Sequence, residues 1–237
     1  SLDDMASNVN ADNRKRIQMS KQLPVIGTAA AEGFAPIDDV VAVIARGGMV
    51  VQVDDEDREN EGDLVVAAEF ATAEVINFMI THGRGLVCVS ITEDRALTLG
   101  LGPMATNNTE SNGTAFTVSV DGGEEHGVTT GISAHERART IELVLNGTGS
   151  DLRTPGHMFP LVARNGGSLE RAGHTEASVD LARLAGLQPS GVIVEIVGED
   201  GHMLRRDGLA QFARQHGLLM SSIELLREHL SEVRAAA

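Results

Sequence analysis

The spacing of apolar and polar positions becomes regular only from Pro36 onward. Residues 1–35 mix Asp, Asn, Lys, Gly and Ala without sustained periodicity, which predicts a mobile N-terminal arm ahead of a domain over residues 36–232. Helical spacing over Ile37–Arg46 stops at Gly47 and Gly48, and the apolar run Met49–Val53 reads as a buried strand. Thr72–Gly83 predicts a second helix, with Thr72 as N-cap and Val75, Ile76, Met79 and Ile80 on one face. A strand follows at Leu86–Ile91, a short helix at Glu93–Leu99 and an alternating strand at Ala115–Val120. Ser133 and Glu136 have capping-box spacing at the start of a helix that runs to about Leu145. Beyond it come a helix over Thr175–Ala185 stopped by Gly186, a β-branched strand over Val192–Val197, and helices near Gly208–His216 and Ser222–Leu230. Helices and strands are interspersed without repeat, linker or break in composition. The expectation is therefore one α/β (α+β) domain.

Composition narrows the chemistry. Hydrophobic residues make up 42% of 237, which supports a packed core, but aromatics are 3%, with six Phe, no Trp and no Tyr. Stacking of bases on aromatic side chains is thereby all but excluded. With 19 Lys and Arg against 34 Asp and Glu, the net charge is −15, which repels a phosphate backbone, so no nucleic-acid partner is expected. The single Cys88 forbids an intrachain disulfide and a cysteine-based zinc site. No apolar run approaches the roughly 18 residues of a membrane helix. Leu23–Ala31, interrupted by Pro24 and Gly27, is too short for a secretory leader. These features predict a soluble, cytoplasmic protein.

Two strings carry candidate chemistry. In Asp54–Asp63, seven of ten residues are acids, and alternation along an extended chain would let Glu59, Glu61 and Asp63 converge. Such oxygen donors suit Mg²⁺ or Mn²⁺, whereas a solvated acidic loop is the plain alternative. An EF-hand is excluded, because the twelfth position counted from Asp57 is Ala68. The second string, Arg171–Thr175, precedes a helix. An Arg, a Thr hydroxyl and helix-start amides make a phosphate cradle there, with His174 either a metal ligand or a surface-loop histidine. The hydroxyls around Thr130, in Thr129–Ser133, offer a similar cradle or an ordinary helix cap. His157 follows Pro155 and Gly156 on what reads as a stiff turn. Glu195 interrupts an apolar strand, where it is paired, metal-bound or on a solvent-facing edge. Cys88 reads as a small buried hydrophobe.

Asp54–Asp63, Asn108–Thr109 with Gly113–Val118, Thr129–Ser133, Pro155–Pro160 and Arg171–Ala177, in that order and spacing, resemble the 3,4-dihydroxy-2-butanone 4-phosphate synthases of riboflavin biosynthesis. The resemblance covers roughly Ile37 to Leu230. It implies a mixed-sheet α/β sandwich, a homodimer with active sites near the subunit interface, and a reaction from D-ribulose 5-phosphate to L-3,4-dihydroxy-2-butanone 4-phosphate and formate. It also implies Mg²⁺ or Mn²⁺ as cofactor, two ions per site, with Glu59 and His174 as ligands. Arg58, Glu59, Asp63, Thr130, Arg171, Ala172, Gly173, His174, Thr175 and Glu195 would contact substrate. His157, Glu195, Asp63 and Glu61 would carry the proton transfers. Relatives are often fused to a GTP cyclohydrolase II domain whose zinc needs three cysteines, so with one cysteine this chain is expected to be monofunctional. Asn112 and Thr154 stand where family members usually carry an aromatic or His and an Arg, and Gly122–His126 is slightly longer than usual. A catalytically dead metal-binding relative and another metal-dependent sugar-phosphate isomerase are the rivals. The first is disfavoured because Glu59, His174, His157 and Glu195 are all present.

Overall fold

A computed structural model describes residues 33–236 of the chain. Almost all of the expected N-terminal arm lies outside the described residues. Its last part does not: the Ala35 N–H donates to the Met220 carbonyl, and Ser221 Oγ donates back to the Ala35 carbonyl.

Seven strands form one mixed sheet: β1 (Val50–Val53), β2 (Gly62–Ala67), β3 (Cys88–Ile91), β4 (Val120–Gly122), β5 (Leu152–Val162), β6 (Gly191–Glu195) and β7 (Leu219–Ser222), in the order β4-β5-β3-β6-β2-β1-β7. β1 and β2 are buried at every position, as expected of strands covered on both faces. One face carries α1 (Ile37–Ala45), α5 (His174–Leu184) and α7 (Ile223–Ala236), whose Ile44, Leu181 and Leu226 pack with Val65, Cys88 and Ile193. The other carries α2 (Ala73–Phe78), α3 (Glu93–Leu99), α4 (Ala134–Asn146) and α6 (Arg206–His216). From these, Ile76, Leu99, Ile141 and Leu209 pack with Leu64, Val89 and Val194. The α/β expectation is met as a sheet sandwiched between two helical layers.

Differences from the sequence reading have local causes. The helix at Thr72 begins as expected, with Thr72 Oγ1 accepting from the Val75 N–H, but Met79–Gly83 continues it as a wider π turn. Ala115–Val120 is not a continuous strand. It touches β5 only at isolated points, such as the Thr117 N–H on the Pro160 carbonyl, before β4 begins at Val120. β2 and β7 are hidden in sequence because each is flanked by polar or helical segments. β5 is hidden because Pro155 and Pro160 argue against a strand. Gly156 is required where β5 crosses β4, since a Cβ there would lie 2.1 Å from the Val120 carbonyl carbon.

Candidate active site

The acidic string forms a turn folded around Asp54, not an extended strand. Asp54 is buried; its Oδ1 accepts from the Glu61 N–H (2.8 Å), and its Oδ2 accepts from the Glu59 N–H (3.0 Å) and Arg58 Nη1 (2.9 Å). Asn60 closes the turn in the left-handed region, φ +54°. The chain then enters β2, which pairs antiparallel with β6 and sets Asp63 directly opposite Glu195. Opposed residues of paired strands project to the same face. The expected convergence of Glu59, Glu61 and Asp63 therefore occurs, although strand alternation explains only Glu61 and Asp63.

From the other side comes α5. Gly173 is its N-cap, and no side chain caps the helix, so its first amide groups are open to an anion. His174 is the first helical residue and is buried, which corrects the surface-loop alternative. Its Nε2 lies 3.1 Å from the Gln52 carbonyl. A carbonyl only accepts, so that nitrogen carries the proton and Nδ1 faces Glu59 Oε2 at 3.7 Å.

Glu59, Glu61, Asp63, His174 and Glu195 thus line one cavity of about 220 Å³, with Arg58, Arg171 and Thr175 on its wall. A larger hollow of about 560 Å³ between α6 and β7 has a single carboxylate, Asp207, and no histidine among its lining residues, so size does not identify the site. Asp54, Glu59 and His174 each place a possible ligand atom within 4.8 Å of the others. Asp54 was not foreseen as a ligand; its oxygens already serve the turn. Asp63 Oδ1, 3.9 Å from His174 Nε2, is buried without a hydrogen-bond partner, and an orphaned carboxylate oxygen in the cavity that Glu59 and His174 line fits a hard divalent cation.

Electrostatics divide these acids. The His174 imidazole keeps the Glu59 carboxyl below its usual range against the opposing effect of burial. Burial pushes Asp63 up to about 7, and the Glu195 and Glu59 carboxylates add to the rise. Glu61 is raised for the same reasons, burial first and then Glu59. Although burial works against a charged imidazole, the carboxylates of Asp63 and Glu59 hold His174 at about 9. At neutral pH these carboxylates keep a positive charge at Nδ1, the place a metal ion would take. Groups pushed apart in this way give one ionised ligand and one acid poised near neutrality.

Glu195 sits on β6, between β3 and β2, so the edge-strand alternative is excluded. Its Oε2 accepts from the Leu86 N–H at 2.8 Å. Gly85 makes room for it, since a Cβ there would lie 2.4 Å from that oxygen. Arg171 is more committed than a free phosphate anchor: Nη1 pairs with buried Glu176 (2.7 Å), Nε donates to the Asn112 carbonyl and Nη2 to Thr114 Oγ1. Asn112 Nδ2 in turn donates to Glu59 Oε1 (2.9 Å). Ala172 and Gly173 turn the chain into α5.

His157 and Thr130 do not line this cavity. His157 lies on β5, beyond β3 from Glu195, with its Nδ1 on Asp121 Oδ2 (2.7 Å) and its N–H on Asp121 Oδ1 (2.9 Å). Asp121, missed in the sequence, holds the ring so that Nε2 remains free. Two of the three hydroxyls in Thr129–Ser133 are taken, since Thr129 Oγ1 and Ser133 Oγ both donate to Glu136. Thr130 stands exposed on this turn.

The fold and site thus define a class: an α/β chain with an acid-and-histidine cavity suited to a divalent cation beside an arginine and a helix start suited to an anion. A family model for 3,4-dihydroxy-2-butanone 4-phosphate synthase matches residues 38–229, and the chain belongs to that family. It is 53% identical to a riboflavin biosynthesis protein RibBA of Aquifex aeolicus (strain VF5), over 86% of this chain and 52% of that one. A RibBA of Bacillus mycoides (strain KBAB4) is 55% identical over 81% and 48%. The chain thus spans about half the length of these curated relatives. Among solved structures, a 3,4-dihydroxy-2-butanone 4-phosphate synthase in complex with two magnesium ions is 44% identical, with a TM-score of 0.80, over 85% of this chain and 99% of that one.

Proposed function

We propose that this chain converts D-ribulose 5-phosphate to L-3,4-dihydroxy-2-butanone 4-phosphate and formate, as a lyase of riboflavin biosynthesis. The observation that carries this reading is His174, with Nε2 tied to the Gln52 carbonyl and Nδ1 turned to Glu59, in the cavity where Asp63 faces Glu195. Glu59 and His174 would hold Mg²⁺ or Mn²⁺, and the remaining carboxylates would hold a second ion; a relative's structure is in complex with two magnesium ions. A divalent cation supplies Lewis acidity next to the sugar carbonyl. The α5 amides, the Thr175 hydroxyl and the two Arg171 N–H groups not used within the protein bind the phosphate. Asp63, buried in the cavity opposite Glu195, is placed to accept the proton next to the carbonyl, and Glu61 and Glu195 stand beside it for later transfers.

We further propose that the chain works as a homodimer. His157, held by Asp121 through Nδ1 and with no partner on Nε2 among the described residues, does not line its own chain's cavity, and a second copy is the simplest source of that imidazole. The test is incubation with D-ribulose 5-phosphate and Mg²⁺ followed by detection of formate. A five-carbon product without formate would favour the isomerase reading. Metal binding with no turnover would favour a dead relative.

A further inference from the structure

The acidic turn is fastened from outside by a residue that belongs to neither motif. Arg205 lies between β6 and α6, as the residue that caps the start of α6. Its Nη1 donates to the Glu59 carbonyl at 3.0 Å and also to the Asn60 carbonyl. Those acceptors lie 146 and 145 residues away in sequence. Its neighbour Arg206 approaches the Glu56 carboxylate instead, at 3.8 Å.

Arg205 is also rigidly presented. A tight turn after Glu195 returns the chain through the Gly198 N–H to the His202 carbonyl and the Leu204 N–H to the Ile196 carbonyl. The Ile196 N–H in turn donates to the Gly62 carbonyl, at the end of the acidic turn. Buried Leu209 of α6 packs so closely on Gly62 that a Cβ there would lie 2.6 Å from it. The segment carrying Arg205 is therefore anchored to both the β6 end of the site and the β2 end.

The geometry of Glu59 needs such a fastening. Its N–H is fixed by Asp54, and Asn60 next to it turns the chain in the left-handed region that asparagine tolerates. Two adjacent carbonyls also converge on one point, where their negative ends repel unless a cation stands between them. The Arg205 guanidinium meets that demand. We infer that Arg205 is a positioning residue for the metal site: by holding the Glu59 and Asn60 carbonyls it fixes the backbone from which the Glu59 carboxylate, itself held by Arg58 and Asn112, faces His174. The inference rests on the proposed metal role of Glu59 and His174.

The experiment is titration of metal-free protein with Mn²⁺, followed by electron paramagnetic resonance of the free ion, which reads binding without turnover. Arg205→Ala should weaken Mn²⁺ binding about 10-fold, in the range expected when the partner of a metal ligand is removed. Arg205→Lys, which keeps one cationic donor, should recover part of that loss, and Arg206→Ala should bind as wild type does. Formate release by Arg205→Ala should fall at limiting Mn²⁺ and recover at saturating Mn²⁺. If Arg205→Ala does not fold, Arg205→Gln carries the same test. Wild-type affinity in every folded Arg205 variant would overturn the positioning role while leaving the metal site intact. Absence of Mn²⁺ binding by the wild type would overturn both.

Discussion

The His174 imidazole stands 3.7 Å from the Glu59 carboxylate through Nδ1, while its Nε2 is held by the Gln52 carbonyl of β1. A ring fixed in this way has one nitrogen available to a cation, and the tautomer that presents it is chosen by the backbone of a strand 122 residues away.

Metal dependence follows from this pair. Chelation with EDTA should abolish formate release, and Mg²⁺ or Mn²⁺ should restore it. His174→Asn should lower Mn²⁺ affinity by at least about 10-fold and abolish turnover, with the circular dichroism spectrum unchanged. Full activity after exhaustive chelation would remove the cation from the mechanism.

Arg171 combines two roles that one substitution separates poorly. Its partner Glu176 is buried, and a buried pair broken from one side costs roughly 3–5 kcal/mol. Arg171→Ala should therefore lower the melting temperature markedly and raise KM for the sugar phosphate. The double variant Arg171→Ala with Glu176→Gln leaves no unpaired charge and should regain much of the stability while KM stays high. Should KM return with stability, the phosphate is bound elsewhere.

Glu195→Gln tests the carboxylate facing Asp63. The amide oxygen can still accept from the Leu86 N–H, so the melting temperature should change little. Loss of a proton acceptor should cut kcat on the order of 10²–10⁴-fold. Near-normal kcat would leave proton transfer to Asp63 and Glu61.

Much of this site was legible in sequence because its ligands come in short strings: the acidic turn and Arg171–Thr175 each carry several functional groups within ten residues. What sequence hid is long-range. Asp54 reads as one more acid, yet it is the centre on which the turn folds. Asp121 and Arg205 act through partners 36 and 146 residues distant. The helix period of α1 was readable because it buries one stripe, whereas α5 is buried all round from His174 to Ala182 and was readable from Ala177, Leu181 and Leu184 and the Gly186 stop. β5, in contrast, pairs despite two prolines, and only its neighbours reveal it.

The turn that carries Thr130 has a pH dependence of its own. Hydrogen bonds from Thr129 and then Ser133 hold the Glu136 carboxyl at about 2, below its ordinary 4.5. A carboxyl depressed in the folded state stabilises above its unfolded value and loses that contribution as pH falls toward the folded one. Glu136→Gln should therefore melt earlier than wild type at pH 7, and the gap should narrow between about pH 4.5 and pH 2. A gap independent of pH would show that the carboxylate's charge is not what holds the turn.

His157 and Glu195 allow the dimer itself to be tested. If each site takes Glu195 from one chain and His157 from the other, a mixed dimer of His157→Ala and Glu195→Gln chains contains one doubly altered site and one intact site. Each variant alone should be nearly inactive. Unfolded and refolded together in equal amounts, half the dimers are mixed and each has one intact site, so activity should return to about a quarter of wild type. If His157 serves the cavity of its own chain, every site in the mixture carries one lesion and no activity returns. Formate release from the refolded mixture, measured beside each variant refolded alone, decides between the two arrangements.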